Sequence, residues 1–299
     1  MIRIGLVDFD TSHVVAFTQR LNHVDVPEDQ WVDGARVVMG CPGRSDISPE
    51  RIPDHLEQLK KYGVEIVDQP EDMMGKIDAV CIESQGGTPH LPRAKPFIEA
   101  GLPVFVDKPF TCSVADAKAL FALAARHNVP LFSSSSLRYA LEVQEVKAQE
   151  AELGKVIGAD AYSPASLHPL NPGLFHYGIH GVETLFALMG KGCQAVHCVD
   201  TEGTTVVTGL WKDGRLGTVR GTRRGAHSYG FTAFCEKRVV VKPINAAYIY
   251  RELLKVIVRM FETKQVPLDP QETIEIIAFI EAAMASANNH GARTALQGA

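Results

Sequence analysis

The feature that most constrains this chain is the alternation in its first half. Six short apolar runs, Ile2–Val7, Arg36–Gly40, Val64–Val67, Ala79–Glu83, Val104–Val106 and Leu131–Ser133, are separated by stretches of helical periodicity. The runs are β-branched and nearly continuous in apolar character, as strands buried on both faces are. The clearest helical stretch, Val114 to His127, has Ser113 placed to cap it and Asp116 three residues further on. Strand–helix–strand units close by right-handed crossovers, so this half predicts a doubly wound parallel sheet of the Rossmann type.

The pattern changes after about residue 140. A helical segment from Leu174 to Met189 ends at Gly190, and the runs Gln194–Asp200, Thr205–Trp211, Leu216–Gly221, Tyr229–Phe234 and Arg238–Val241 read as strands. Lys212-Asp213-Gly214-Arg215 joins two of them with the composition of a type I′ hairpin turn. In the closing helix, Ile277, Ile280 and Met284 recur at three-and-four spacing and mark one buried face. The expected division is residues 1–138, a dinucleotide-binding domain, and 139–299, an α/β domain with an open, mainly antiparallel sheet for substrate binding and oligomerisation.

Composition narrows the class. The net charge of -5 gives no electrostatic case for nucleic acid or an anionic membrane. No apolar run approaches the roughly 20 residues that span a bilayer, and no basic segment followed by an apolar one marks a signal peptide. The six cysteines are scattered without a metal-ligand spacing and read as reduced, mostly buried thiols, which fits a cytoplasmic protein.

The first strand-to-helix turn runs Asp8-Phe9-Asp10-Thr11-Ser12-His13. A dinucleotide turn carries glycines where Asp8, Asp10 and His13 stand, so that backbone can approach a pyrophosphate. Two of the replacements are acidic and would repel that group; Asp10 or Ser12 suits a helix N-cap instead. The second strand lacks a carboxylate at its end, and Arg44 and Ser45 in the following loop suit a 2′-phosphate, which slightly favours NADP over NAD; an ordinary Pro-Gly loop is the alternative. Glu83, Ser84 and His90 lie in or after the loop at the end of a central strand, where open α/β sheets bind ligands. Asp107-Lys108-Pro109 ends the next strand: the proline restricts the chain, Asp107 is placed to orient Lys108, and Lys108 is aimed at a ligand.

The richest cluster is His176-Tyr177-Gly178-Ile179-His180-Gly181-Val182-Glu183. On a helix, His176, His180 and Glu183 share one face. They suit proton relay near neutral pH or, with His168, a divalent metal site.

With these segments in place the chain resembles the Gfo/Idh/MocA oxidoreductases. Asp107-Lys108-Pro109 is similar to the family's Glu-Lys-Pro, Gly178-Ile179-His180 to the end of its Asp-x-Gly-x-His helix, and Leu137-Arg138-Tyr139 to the segment closing its nucleotide domain. The resemblance implies NAD or NADP hydride transfer at a sugar or cyclitol carbon. It gives Lys108 contact with the substrate hydroxyl and the cofactor, and makes His180 the general acid/base. His176 stands where the family's catalytic aspartate usually does. The resemblance also implies a homodimer or homotetramer assembled through the C-terminal sheet. Two other readings remain: a lyase, isomerase or hydrolase of the same fold acting on a sugar with a retained cofactor or a metal, and an inactive ligand-binding relative.

Overall fold

The structure, a computed structural model, describes residues 1–298 and divides them into two units. The first comprises residues 1–111, 115–134 and 250–269; the second comprises 112–114, 135–249 and the described residues from 270 onward.

The first unit alternates strands and helices as the sequence predicts. In chain order they are β1 (Ile2–Val7), α1 (His13–Asn22), β2 (Ala35–Cys41), α2 (Ile52–Lys61), β3 (Glu65–Ile66), β4 (Ala79–Ile82), α3 (His90–Glu99), β5 (Val104–Val106), α4 (Val114–His127) and β6 (Leu131–Ser133). The strands are parallel in the order β3-β2-β1-β4-β5-β6, the Rossmann order, whose switch point lies between β1 and β4. Aromatic side chains pack against the sheet: Phe17, Phe105 and Phe132 are fully buried and in ring contact in sequence. Each contributes about 1.5–3 kcal/mol of burial.

Register is what positions chemistry here. Val7 pairs with Ile82, and Ile82 with Val106. The next residues, Asp8, Glu83 and Asp107, therefore leave the sheet side by side at its carboxyl edge, the edge that binds ligands in such folds.

The second unit holds α5 (Leu141–Ala148), α6 (Glu150–Leu153), β7 (Val156–Pro164), α7 (Ile179–Met189), β8 (Cys193–Asp200), β9 (Thr204–Trp211), β10 (Leu216–Thr222), β11 (Gly230–Cys235) and β12 (Val239–Pro243). Helix α8 (Ile249–Thr263) follows and belongs almost wholly to the first unit; α9 (Pro270–Asn288) and β13 (Thr294–Ala295) complete the second. The sheet order is β12-β11-β7-β10-β9-β8-β13, antiparallel except for the parallel pair β7 and β10. The central strand β7 is the element the sequence does not announce, because Gly158, Ala159, Asp160 and Ala161 dilute its apolar signal.

Two local expectations need correction. The turn at Lys212–Arg215 is not type I′, which needs positive φ at two residues. Only Gly214 is left-handed (φ 88°), with its N–H bonded to the Trp211 carbonyl, so a type I turn leads into a glycine bulge. Helix α7 starts at Ile179 rather than Leu174, after a short 3-10 turn at Gly173–Phe175. Gly173 takes φ 58°, and a Cβ at Gly178 would come within 2.4 Å of the Leu174 side chain, so both glycines are required by the bend. His176 consequently lies outside the helix.

Candidate functional site

The β1–α1 turn is built from carboxylates. Asp8 adopts φ 65°, the conformation glycine ordinarily supplies in this turn. Its Oδ2 accepts from the Ser84 hydroxyl at 2.5 Å and from Arg93 Nε at 3.2 Å. Burial pushes the Asp8 carboxyl above the ordinary range, against the pull of Ser84 and Arg93. A Cβ on Gly43 (φ 64°) would collide with the same carboxylate, which explains a glycine in that loop. Asp10 accepts from the Ser45 hydroxyl at 2.5 Å and from the Gln85 amide at 2.9 Å. Neither Asp10 nor Ser12 caps α1 through its side chain: Ser12 stands at the N-cap with helical dihedrals and no capping bond. Thr11 is buried, with Oγ1 3.4 Å from the His13 amide.

These bonds run across the β1–β4 switch point, where a dinucleotide's pyrophosphate would lie. The Asp8 and Asp10 carboxylates stand there in place of open backbone, so the side chains as arranged do not fit that group. The 2′-phosphate contacts are also not assembled. Ser45 is bonded to Asp10, and Arg44 is exposed. His90 is fully buried with its ring nitrogens 3.0 Å from the Phe110 carbonyl and 2.9 Å from the Ser84 carbonyl, so it fastens two loops together rather than offering a cofactor contact.

Beside the turn, Asp107 is fully buried at the end of β5. Its Oδ2 lies 2.9 Å from His13 Nδ1 and 3.5 Å from Lys108 Nζ. Burial opposes ionisation of Asp107, but His13 and Lys108 outweigh it and hold the carboxyl well below the usual range. Lys108 is itself only 8% exposed, so the Asp107 charge fixes its ammonium in place. Glu83, at the end of β4, is fully buried; burial first, and then the Asp107 charge, push its carboxyl far above the ordinary range.

In the second unit His180 sits in the first turn of α7, 7% exposed. Its Nδ1 is 2.7 Å from Ser135 Oγ, and Tyr177 and Tyr229 approach its ring edge-on at centroid distances of 6.0 and 5.9 Å. One turn later, Glu183 accepts from Arg138 Nε at 2.8 Å, while Arg138 Nη1 donates to Glu272 at 2.7 Å. Arg138 is thus committed to a buried ion-pair network and not to a cofactor. Burial raises the Glu183 carboxyl, partly offset by Arg138.

The alternative metal set is not brought together. Glu183 is bound to Arg138, and His180 Nδ1 meets Ser135. His168 and His176 are ring neighbours at 5.5 Å, outside α7. Among the described residues, the cluster whose ligand atoms do converge is His13, Glu83 and Asp107. Sequence reasoning missed two residues of consequence, Ser135 and Arg93. The run Ser133-Ser134-Ser135-Ser136 after a strand was the available signal for the first.

Comparison with known proteins agrees with this framework. Residues 45–135 match the model of the oxidoreductase family with an NAD-binding Rossmann fold. The uncharacterized oxidoreductase YhhX of Escherichia coli (strain K12) is 30% identical over 128 residues, 39% of this chain, and the match spans only 36% of that protein's length. A probable dehydrogenase from Thermotoga maritima superposes with a TM-score of 0.81 at 19% identity, covering 99% of both chains. The scyllo-inositol dehydrogenase from Lactobacillus casei, solved with NAD(H) and scyllo-inositol, gives a TM-score of 0.80 at 16% identity over 99% of each chain. Myo-inositol 2-dehydrogenase from Lactobacillus plantarum gives 0.81 at 16% identity with the same coverage. These likenesses establish the two-part fold. No helix among the described residues is long and apolar enough to cross a membrane.

Proposed function

We propose that this chain, whose family-model match and fold are those of the Gfo/Idh/MocA oxidoreductases, is itself an oxidoreductase acting on a hydroxyl or ketone of a sugar, sugar derivative or cyclitol. The observation that carries the reading is the pair of nearly buried, oriented groups on this framework: Lys108, fixed by Asp107, and His180, fixed by Ser135. Lys108 is read as the donor that polarises the reacting oxygen. His180 is read as the group that takes or returns its proton, in the ring orientation that the Ser135 hydroxyl sets. His176, half-buried and off the helix, is read as a substrate contact rather than a proton carrier.

The hydride carrier of such a reaction is NAD or NADP. The Asp8 and Asp10 carboxylates as arranged do not fit its pyrophosphate. The same observation favours a second reading, non-redox chemistry on the same class of substrate with the same two groups. Fluorescence titration with NADH and NADPH separates them: saturable binding with polyol-dependent reduction of the oxidised form supports the first, and no binding of either nucleotide sinks it. Replacing Lys108 or His180 by alanine should abolish turnover under both, and retained activity in both variants would refute the roles given to these two residues.

Self-association is read onto the second sheet. Leu216, Phe234, Val239 and Val241 are all exposed, and Phe234 pairs with Val239. Such a row of apolar side chains suits a homodimer or homotetramer. The scattered free thiols suit a cytoplasmic setting.

A further inference from the structure

We propose that His13, Glu83 and Asp107 form a buried binding site for a first-row divalent cation at the carboxyl edge of the parallel sheet. One ring nitrogen of His13 and one carboxylate oxygen each from Glu83 and Asp107 lie within 4.8 Å of one another. Ligands around a cation at about 2.0–2.2 Å stand roughly 3–4 Å apart, so the three need close by only a small side-chain adjustment.

The surroundings of these atoms mark the site as well as their convergence does. Both carboxylate oxygens of Glu83 are buried without a hydrogen-bond partner, while Asp107 Oδ2 faces His13 and Lys108. Glu83 is 0% exposed, Asp107 0% and His13 4%. His13 Nδ1 approaches Asp107 at 2.9 Å without meeting hydrogen-bond geometry. Buried polar atoms are nearly always satisfied, and a fully buried carboxylate with neither oxygen bonded marks a missing partner. The Glu83 lone pairs, which accept no proton from the protein, are available to a metal.

Charge points the same way. Four carboxylates, Asp8, Asp10, Glu83 and Asp107, crowd the ends of β1, β4 and β5. Facing them are Arg93 on Asp8, Lys108 on Asp107, and His13. Two fixed cations, Arg93 and Lys108, thus face four carboxyl groups, and a divalent cation adds the positive charge that would hold Glu83 ionised. One imidazole and two carboxylates form a mixed nitrogen–oxygen set that suits Zn²⁺, Mn²⁺ or Fe²⁺ better than Ca²⁺. The rigidity of the site follows from the fold: two ligands come from adjacent paired strands, and the third lies in the first turn of α1, its ring stacked on Phe17 at 5.2 Å and edge-on to Tyr250 at 5.0 Å.

This inference stands independently of the nucleotide reading, and its test needs no turnover. The full chain, stripped with chelator, is titrated with Zn²⁺ and with Mn²⁺ and followed by calorimetry, elemental analysis and melting temperature. One equivalent should bind per chain, with Tm rising by about 5 °C at a hundredfold excess over Kd. Glu83→Gln keeps the shape and removes an unpaired buried carboxyl, so the variant should fold at least as well without metal. It should lose at least a hundredfold in affinity together with the thermal shift. Asp107→Asn should do the same, whereas Asp213→Asn, remote and exposed, should bind as the parent does. Absence of binding at millimolar metal, or binding that Glu83→Gln leaves unchanged, overturns the proposal.

Discussion

The hydroxyl of Ser135 lies 2.7 Å from Nδ1 of His180, and the backbone amide of the same serine faces Glu183 one turn along α7. A single residue thus sets the ring orientation of the proposed acid/base and ties it to the buried ion pair behind it. Ser135 is therefore a positioning residue. Ser135→Ala should lower kcat about tenfold with little change in KM and should displace the pH–rate limb assigned to His180. Ser135→Thr should restore both. An unaltered pH profile in Ser135→Ala would show that the serine only packs.

Arg138 carries two carboxylates in the second unit, and it is 4% exposed. Removing one partner of such a network leaves charge buried without compensation. Arg138→Met should cost about 3–5 kcal/mol in denaturant unfolding. Adding Glu183→Gln should recover part of that loss, since the second change removes one of the stranded carboxylates. Additive losses would show that the pair is not coupled.

The Asp8 and Asp10 carboxylates occupy the position glycines hold in a dinucleotide turn. Asp8→Gly combined with Asp10→Gly should tighten NADH binding at least tenfold in a fluorescence titration. Asp8 already sits at φ 65°, so glycine introduces no new backbone strain there. Weaker binding in the double variant would mean that these carboxylates hold the nucleotide rather than repel it.

Helix α7 lies close against its sheet at Gly181. A Cβ there would stand 2.9 Å from Ser163 Oγ and 3.2 Å from Val219 Cγ1. Gly181→Ala should destabilise the fold by about 1–3 kcal/mol through overpacking. Because it adjoins His180, it should also reduce kcat more than it raises KM. An alanine variant with unchanged Tm would show that the sheet yields at this point.

Asp78 accepts from the Arg3 side chain and backbone, and chiefly that side-chain bond draws its carboxyl down to about 2. The folded value lies below the unfolded one of roughly 3.9, so the contribution is present above pH 4 and lost as pH falls toward 2. Asp78→Asn should lower Tm slightly at pH 7, with the difference from the parent vanishing near pH 2. The pair is solvent-exposed, so added salt should shrink the effect further. A difference that persists at pH 2 would assign it to lost backbone bonding.

Legibility in the sequence followed range. The parallel strands were readable because each is a local apolar run, and β1 and β5 fall where the runs do. Strand β7 was not, because its place in the sheet is fixed by partners far along the chain, Leu216–Thr222 on one side and Gly230–Cys235 on the other. The same division holds at the site. Lys108 and His180 stood out by residue type and neighbours. That Asp8, Glu83 and Asp107 emerge together depends on strand register, which no local window contains. His90 illustrates the opposite error: a histidine at a sheet edge looks like a ligand contact until both its nitrogens are found facing carbonyls.

Helix α8 returns to the first unit more than a hundred residues after the chain has left it. Tyr250 closes over His13 and Phe17, Arg251 bonds the Asp29 carbonyl, and Val258 and Glu262 stand over Gly34. During synthesis, therefore, the N-terminal sheet emerges from the ribosome long before the helix that covers it. Until residue 269 is clear of the exit tunnel, the apolar side chains beneath Leu253, Leu254, Ile257 and Phe261 have no native cover. The nascent chain carries that uncovered face through the making of almost the whole second unit, and a fragment ending at residue 134 lacks its native cover altogether.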